Sequence, residues 1–169
     1  MPITPFHFGP GAALHALAPR HVSFLAFCAA NVAIDVESLY NLVQGRHPVH
    51  AFFHTYVGAT LAALALVALF WLLRRAGVAL LPGLTLRRVA IGAALGAWTH
   101  VLLDSVMHHD IRPLMPFDAA NALQGIVGLG TLHLACVASA LFALLWMGGR
   151  KLWRLVHARR SHADQRPAP

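Results

Sequence analysis

Residues 89–107 read VAIGAALGAWTHVLLDSVM. A helix needs roughly 17–25 predominantly apolar residues to cross the hydrocarbon core of a bilayer, and this run is of that length. Its apolar character is interrupted only by His100 and Asp104. His108, His109 and Asp110 follow at once, so three histidines and two aspartates fall within eleven residues. A carboxylate inside a span is costly, and such a group is functional by default. The stretch therefore sets two expectations, a membrane helix and a polar site on it.

Two further runs have the same character. Residues 56–73, YVGATLAALALVALFWLL, are unbroken, and a third run extends from Leu123 to Met147. His21 to Val43 forms a fourth, broken in its outer half by Asp35 and Glu37. The composition agrees: 58% of the 169 residues are apolar and 11% are charged, against roughly 25% charged in a soluble domain. A soluble protein with very apolar helices is the alternative, and three separate runs of spanning length argue against it. The chain opens without a basic segment and small-residue cleavage site, so no cleaved signal peptide is expected. Cys28 and Cys136 each lie in an apolar run without a local partner, which points to neither a disulfide framework nor a thiolate metal site.

The basic residues orient the bundle. Arg20 precedes the first span, and Arg74, Arg75, Arg87 and Arg88 flank the link between the second and third. Arg150, Lys151, Arg154, Arg159 and Arg160 follow the last. The positive-inside rule assigns all of these to the cytoplasmic face. The opposite loops hold only Arg46 and Arg112, while Asp35, Glu37, Asp104, Asp110 and Asp118 fall on or near that outer face. The net charge of +7 is thus a topological device and a contact for anionic lipid. Nucleic-acid binding is not expected, because no basic surface with base-reading groups is presented.

The start, MPITPFHFGPGAALHALAPRH, carries prolines at positions 2, 5, 10 and 19. Gly11 to Ala18 has room for two helical turns, too few to span, and reads as a re-entrant or interfacial helix. His7 then lies on the outer side if the helix dips inward from that face, and on the far side if it lies flat. The expected fold class is all-α: a polytopic membrane bundle of about four transmembrane helices with a short N-terminal helix. Residues 1–149 form the membrane domain. Residues 150–169 form a basic cytoplasmic tail, a short interfacial helix with a disordered end.

The polar groups form a pattern. His100, Asp104 and His108 are spaced i, i+4, i+8, which stacks them on one helix face. His50 and His54 share the i, i+4 spacing at the mouth of the second span. Asp35 lies in the outer half of the first, and Glu37 is about 200° further round a regular helix. Imidazoles and carboxylates from three helices at one depth are the constituents of a metal site in a helical bundle. Imidazole suits zinc, manganese or iron, and carboxylate adds charge for harder ions. The remaining histidines have plainer readings. His47 and His109 are loop residues, His133 is a core histidine, and His15, His21, His157 and His162 are interfacial or solvated. Asp118 is a helix or turn cap.

The order TPFH (4–7), AIDVE (33–37), HAFFHT (50–55) and THVLLD…PLMPF (99–117) resembles a family of bacterial integral-membrane, metal-dependent hydrolases. Its pattern comprises an early histidine, a Pro-Asp-x-Asp element, a His-Arg…Thr-His-Ser element and a Ser-His-x-x-x-Asp element followed by proline. The resemblance covers most of residues 4–117. It implies that His7, Asp35, His54, His100 and Asp104 are metal ligands, with His50 in the place of the earlier central histidine. Departures are Glu37 for the second aspartate, Thr55 and Thr99 for serines, and no arginine after His50.

The full expected ligand set is His7, Asp35, His50, His54, His100, Asp104 and His108, around a divalent metal, zinc by preference over manganese or iron. Such an ion lowers the pKa of bound water towards 7. Glu37 is placed as general base and Asp110 as general acid. A site at the outer edge of the hydrocarbon suits hydrolysis of a phosphate or other ester of a lipid-like substrate, by a multi-pass protein of a bacterial inner membrane. The alternatives are a metal or proton transporter, since His/Asp chains also mark ion paths, and a scaffold with a degenerate site. The oligomeric state is left open.

Overall fold

The computed structural model describes residues 4–78 and 81–164. Among them are five α-helices: α1 (Thr4–Leu17), α2 (Phe24–Val43), α3 (Tyr56–Arg75), α4 (Leu86–Met107) and α5 (Leu129–Asp164). A 3₁₀ turn, Phe52–His54, lies just before α3. The described residues contain no strand. Three helices are long and apolar enough to cross a membrane: α3, α4 and the Leu129–Ala158 part of α5. This points to a membrane protein.

The starts of the central helices are written locally. The hydroxyls of Ser23, Thr55 and Thr85 accept from the amides of Ala26, Gly58 and Arg88. Each satisfies one of the donors that a helix start leaves without an intrahelical partner. At the far end of α4 the His108 amide still donates to the Asp104 carbonyl, at 2.8 Å.

The centre of the bundle is made of small residues. Ala30, Ala59, Ala93 and Ala97 are fully buried together with Ile34 and Val101. Gly92 and Gly96 lie one turn apart on α4, directly on the backbone of α2. A Cβ on Gly92 would meet the Ser23 carbonyl, and one on Gly96 would meet the Phe27 carbonyl. In lipid the hydrophobic effect does not drive helix against helix, so close backbone approach and dispersion hold such a pair. This brings the α2 and α4 backbones together beside the polar residues one turn further along.

Both ends of the bundle are defined by contacts. Arg88 donates to the Pro19 carbonyl at 2.8 Å, and the Ser23 amide donates to the Arg88 carbonyl at 3.1 Å. His15, Pro19, Arg150, Lys151 and Arg154 line one cleft, and Arg74, Arg75 and Leu86 line another. The basic residues therefore share one end. At the opposite end the Tyr56 amide donates to the Pro113 carbonyl at 2.9 Å, joining the loop after α4 to the start of α3.

Two expectations change. The N-terminal helix does not begin at Gly11 but at Thr4, with Pro10 inside it. An internal proline costs about 3 kcal/mol. Packing offsets that cost: Phe6 stacks on His133 at 4.4 Å, and Gly9 rests on the Cys136 carbonyl. Fourteen residues rise only about 21 Å, so α1 is still too short to span. The second change concerns the tail. Residues 150–164 continue α5 without a break, through Gly148 and Gly149. The expected disordered end falls at residues 165–169, outside the described residues.

Candidate metal centre

On α2, Asn31, Asp35 and Ser38 follow the i, i+4, i+7 rule and face α4, where His100 and Asp104 are one turn apart. The 3₁₀ turn brings His54 over them, and α1 brings His7. Asn31, His54, His100 and Asp104 have no exposed surface, and His7 and Ser38 retain 2% and 1%.

One ligand atom from each of Asp35, His54, His100 and Asp104 lies within 4.8 Å of the others. His100 Nε2 is 3.2 Å from Asp35 Oδ1, 3.3 Å from Asp104 Oδ2 and 3.3 Å from His54 Nε2. His54 Nε2 is 3.4 Å from Asp104 Oδ2 and 3.6 Å from Asp35 Oδ1. These are five of the six edges of a small tetrahedron, and the sixth, Asp35 to Asp104, is bounded by 4.8 Å. Bonds of about 2.0–2.1 Å to a tetrahedral centre correspond to edges of about 3.3–3.4 Å. The buried group can hold a metal ion.

The surroundings orient these donors. The Asn31 amide nitrogen donates to the carbonyls of Phe27 at 2.9 Å and Gly96 at 3.3 Å. Its oxygen therefore faces His100 Nδ1, 2.9 Å away, and must accept a proton from it. In the neutral ring that leaves a lone pair on His100 Nε2, the atom at the tetrahedron corner. Ser38 Oγ stands 3.3 Å from His54 Nδ1 and, as a hydroxyl, can accept from that nitrogen or donate to it. A ligating histidine usually donates its other N–H in this way, and the partner fixes tautomer and ring orientation. With His54 in the same tautomer, two lone pairs would face each other across 3.3 Å and repel unless a cation or a proton lay between them.

His7, which the resemblance makes a ligand, is not one of the four grouped donors but lies beside them, with Nε2 3.1 Å from Asp104 Oδ1. Its Nδ1 is 3.2 Å from His100 Nδ1. A carboxylate only accepts, so His7 Nε2 is the donor to Asp104; the one proton on His100 Nδ1 is already directed at Asn31. His7 thus holds one carboxylate oxygen so that the other faces the tetrahedron.

The remaining expected ligands separate from this group. His50, His108 and Asp110 form a second cluster whose ligand atoms also lie within 4.8 Å of one another. The single seven-residue site is therefore divided, because the loop after Val43 folds His50 over the end of α4 while His54 turns down into the bundle. The His50 and His54 rings are 4.8 Å apart, so the clusters adjoin.

Glu37 and Asp110, expected as base and acid, occupy anchoring positions. Glu37 accepts from the amides of Phe52 at 3.2 Å and Phe53 at 2.7 Å, and so holds the turn that carries His54. Being about 200° from Asp35, it reaches sideways while α2 stays regular. Asp110 accepts from the amides of Val49 and His50, both at 3.1 Å, and from His50 Nδ1 at 2.9 Å. Burial alone would raise its pKa, but the backbone and ring N–H groups of His50 outweigh it and hold the carboxyl at about 2. At neutral pH it carries no proton to donate. Burial, followed by the neighbouring His50, lowers His108 to about 4, which keeps that imidazole neutral.

The plainer histidines are placed as follows. His133 stacks on Phe6, His15 Nδ1 lies 2.8 Å from the Val22 carbonyl, and His21, His47 and His109 are exposed. Asp118 caps only a local turn, accepting from the Ala120 amide at 2.8 Å. Asn31 and Ser38 were missed by sequence reasoning. The signal was present: both share the Asp35 face of α2 at helical spacing, in a run otherwise apolar there.

The fold and site together define a class: an all-helical protein with three helices of membrane-spanning character and a buried His/Asp group able to hold a metal ion. No family model, no curated protein and no solved structure matches the chain.

Proposed function

We propose that this chain is a multi-pass membrane hydrolase that uses a divalent metal, zinc by preference, to cleave a phosphate or other ester of a lipid-like molecule. The observation that carries the reading is the donor tetrahedron of Asp35, His54, His100 and Asp104. Two imidazoles and two carboxylates, with five of their six separations at 3.2–3.6 Å, are a donor set that suits zinc. The two carboxylates also balance the ion's charge.

In this reading α2 is a fourth span. Its 20 residues rise about 30 Å, and its polar residues Asn31, Asp35, Ser38 and Asn41 are buried. The shared basic end faces the cytoplasm of a bacterial inner membrane. A reporter fused after Arg160 is then active only as a cytoplasmic fusion. Periplasmic activity there would reverse the orientation.

When bound, a divalent ion would supply Lewis acidity towards a water or ester oxygen, which a centre with four protein donors admits only by taking a fifth ligand. The protein supplies the rest. Asn31 holds the neutral His100 ring with Nε2 towards the ion, Ser38 supports the His54 ring, His7 orients Asp104, and Glu37 fixes the approach of His54. A cleft of about 430 Å³ opens at His50 and Asp110, next to the turn that carries His54, and is lined also by Pro48, Phe52, Val57, Arg112, Met115 and Pro116. Mostly apolar walls with a few polar groups fit an amphipathic ligand, and the Arg112 cation suits an anionic head group.

The test is hydrolysis of short-chain phosphomonoester, phosphodiester and carboxyl-ester lipids by the detergent-solubilised protein. One of these classes is expected to be cleaved, with activity lost on chelation and restored by zinc. Metal-loaded protein that cleaves none of the three would overturn the reading. It would favour instead an ion that only ties the helices together, an arrangement consistent with a complete four-donor set.

A further inference from the structure

The second cluster has a feature the first does not explain. His50 is 6% exposed, and its Nδ1 is committed to Asp110 Oδ1 at 2.9 Å. Its Nε2 is buried with no hydrogen-bond partner. His108 lies against it, rings stacked at 4.2 Å, and His108 Nε2 is likewise buried without a partner. A buried polar atom left unsatisfied costs about 1–3 kcal/mol. One ligand atom from each of His50, His108 and Asp110 lies within 4.8 Å of the others, and a cation reached by both Nε2 atoms would satisfy them. Carboxylate–histidine–metal is the recurrent form of a ligating histidine.

We infer that His50 and His108 hold a second divalent metal ion, with Asp110 orienting His50, beside the Asp35–His54–His100–Asp104 centre. The inference rests on the metal-centre reading above and extends it to a paired site. The His50 and His54 rings are 4.8 Å apart, so the two ions would be neighbours, as in the two-metal sites of phosphoryl and acyl hydrolases. The division of labour follows from donor count. The inner group has four protein donors and is complete. The outer pair is incomplete, and His50 and Asp110 line the apolar cleft. The outer ion therefore has open positions for water and for a substrate oxygen. The ligand class it takes is an oxyanion or ester oxygen at the head of an amphipathic molecule. Arg112 lies nearby without competing for the same nitrogens, since its Nη1 is turned to the carbonyls of His109 and Ile111 at 3.0 and 3.3 Å.

The test is metal stoichiometry of the full-length protein purified in detergent, loaded with zinc and freed of excess. Two ions per chain are expected for the wild type, and one for His50→Ala/His108→Ala. One ion in the wild type overturns the second site and leaves the first standing, whereas none overturns both. A folded double variant that keeps two ions also overturns the assignment to these histidines. Should that variant fail to fold, wild-type protein loaded with manganese decides. An exchange-coupled paramagnetic resonance spectrum is expected, and a spectrum of isolated ions counts against the pair.

Discussion

Asp104→Asn is expected to remove the inner ion while leaving a helical protein, lowering metal affinity at least about 100-fold, above the upper end of what losing an outer partner costs. The reason is the number of groups that depend on one carboxylate. Asp104 Oδ2 is 3.3 Å from His100 Nε2 and 3.4 Å from His54 Nε2, and Oδ1 is 3.1 Å from His7 Nε2. Asparagine keeps the shape but loses the charge, and its NH₂ presents a donor where a ligand lone pair was needed. Asn31→Ala forms the graded comparison. It removes no ligand but frees the His100 ring to take either tautomer, for an expected loss of about 10–100-fold. Metal titration of both variants, with helix content as the folding control, measures the two effects. Equal retention of the inner ion in Asp104→Asn and wild type would refute the metal centre. An Asn31→Ala affinity equal to wild type would refute the tautomer argument alone.

The second large effect concerns the helix pair that builds the site. Gly96→Leu is expected to destabilise the bundle by about 3 kcal/mol or more, at or beyond the usual range for overpacking. A Cβ at this position would meet backbone, the Phe27 carbonyl and Cα, and backbone cannot move aside as a flexible side chain can. The Gly96 carbonyl is also one of the two that fix Asn31. Separation of the helices therefore loosens His100 as well. For a chain of this size such a loss lowers the melting temperature by roughly 6–12 °C, and metal affinity should fall with it. Gly130→Leu is the control. It lies on α5, and a Cβ there meets nothing within 4 Å, so little change is expected. Similar melting temperatures for both variants would show that the α2–α4 approach does not limit stability.

Much was legible in the chain itself. Runs of apolar residues long enough to span require helices, because in lipid every backbone donor and acceptor must be satisfied within the segment. Thus α3 and α4 appear where the runs lie, and α5 takes up the third run from Leu129 rather than Leu123. The i, i+4 spacing of His100 and Asp104 is a local property of a helix, so their common face followed from spacing alone. That Asp35 and His54 would meet them was an expectation from depth and charge cost, and their ligand atoms do converge within 4.8 Å.

The rest depended on tertiary structure. The extent of α1 was decided by α5, whose His133 and Cys136 receive Phe6 and Gly9 and compensate for Pro10. Equal i, i+4 spacing could not reveal that His50 and His54 belong to different clusters. They stand in a loop and a 3₁₀ turn, and Glu37 and Asp110 anchor that backbone through amides contributed from far along the chain. A carboxylate read as a base or an acid looks the same in sequence as one that accepts two amides. The difference lies in which donors the fold brings to it. Asn31 and Ser38 illustrate the same limit. Their spacing put them on the right face, but the role of Asn31 arises only because the Gly96 backbone comes close enough to take one of its protons, leaving its oxygen for His100.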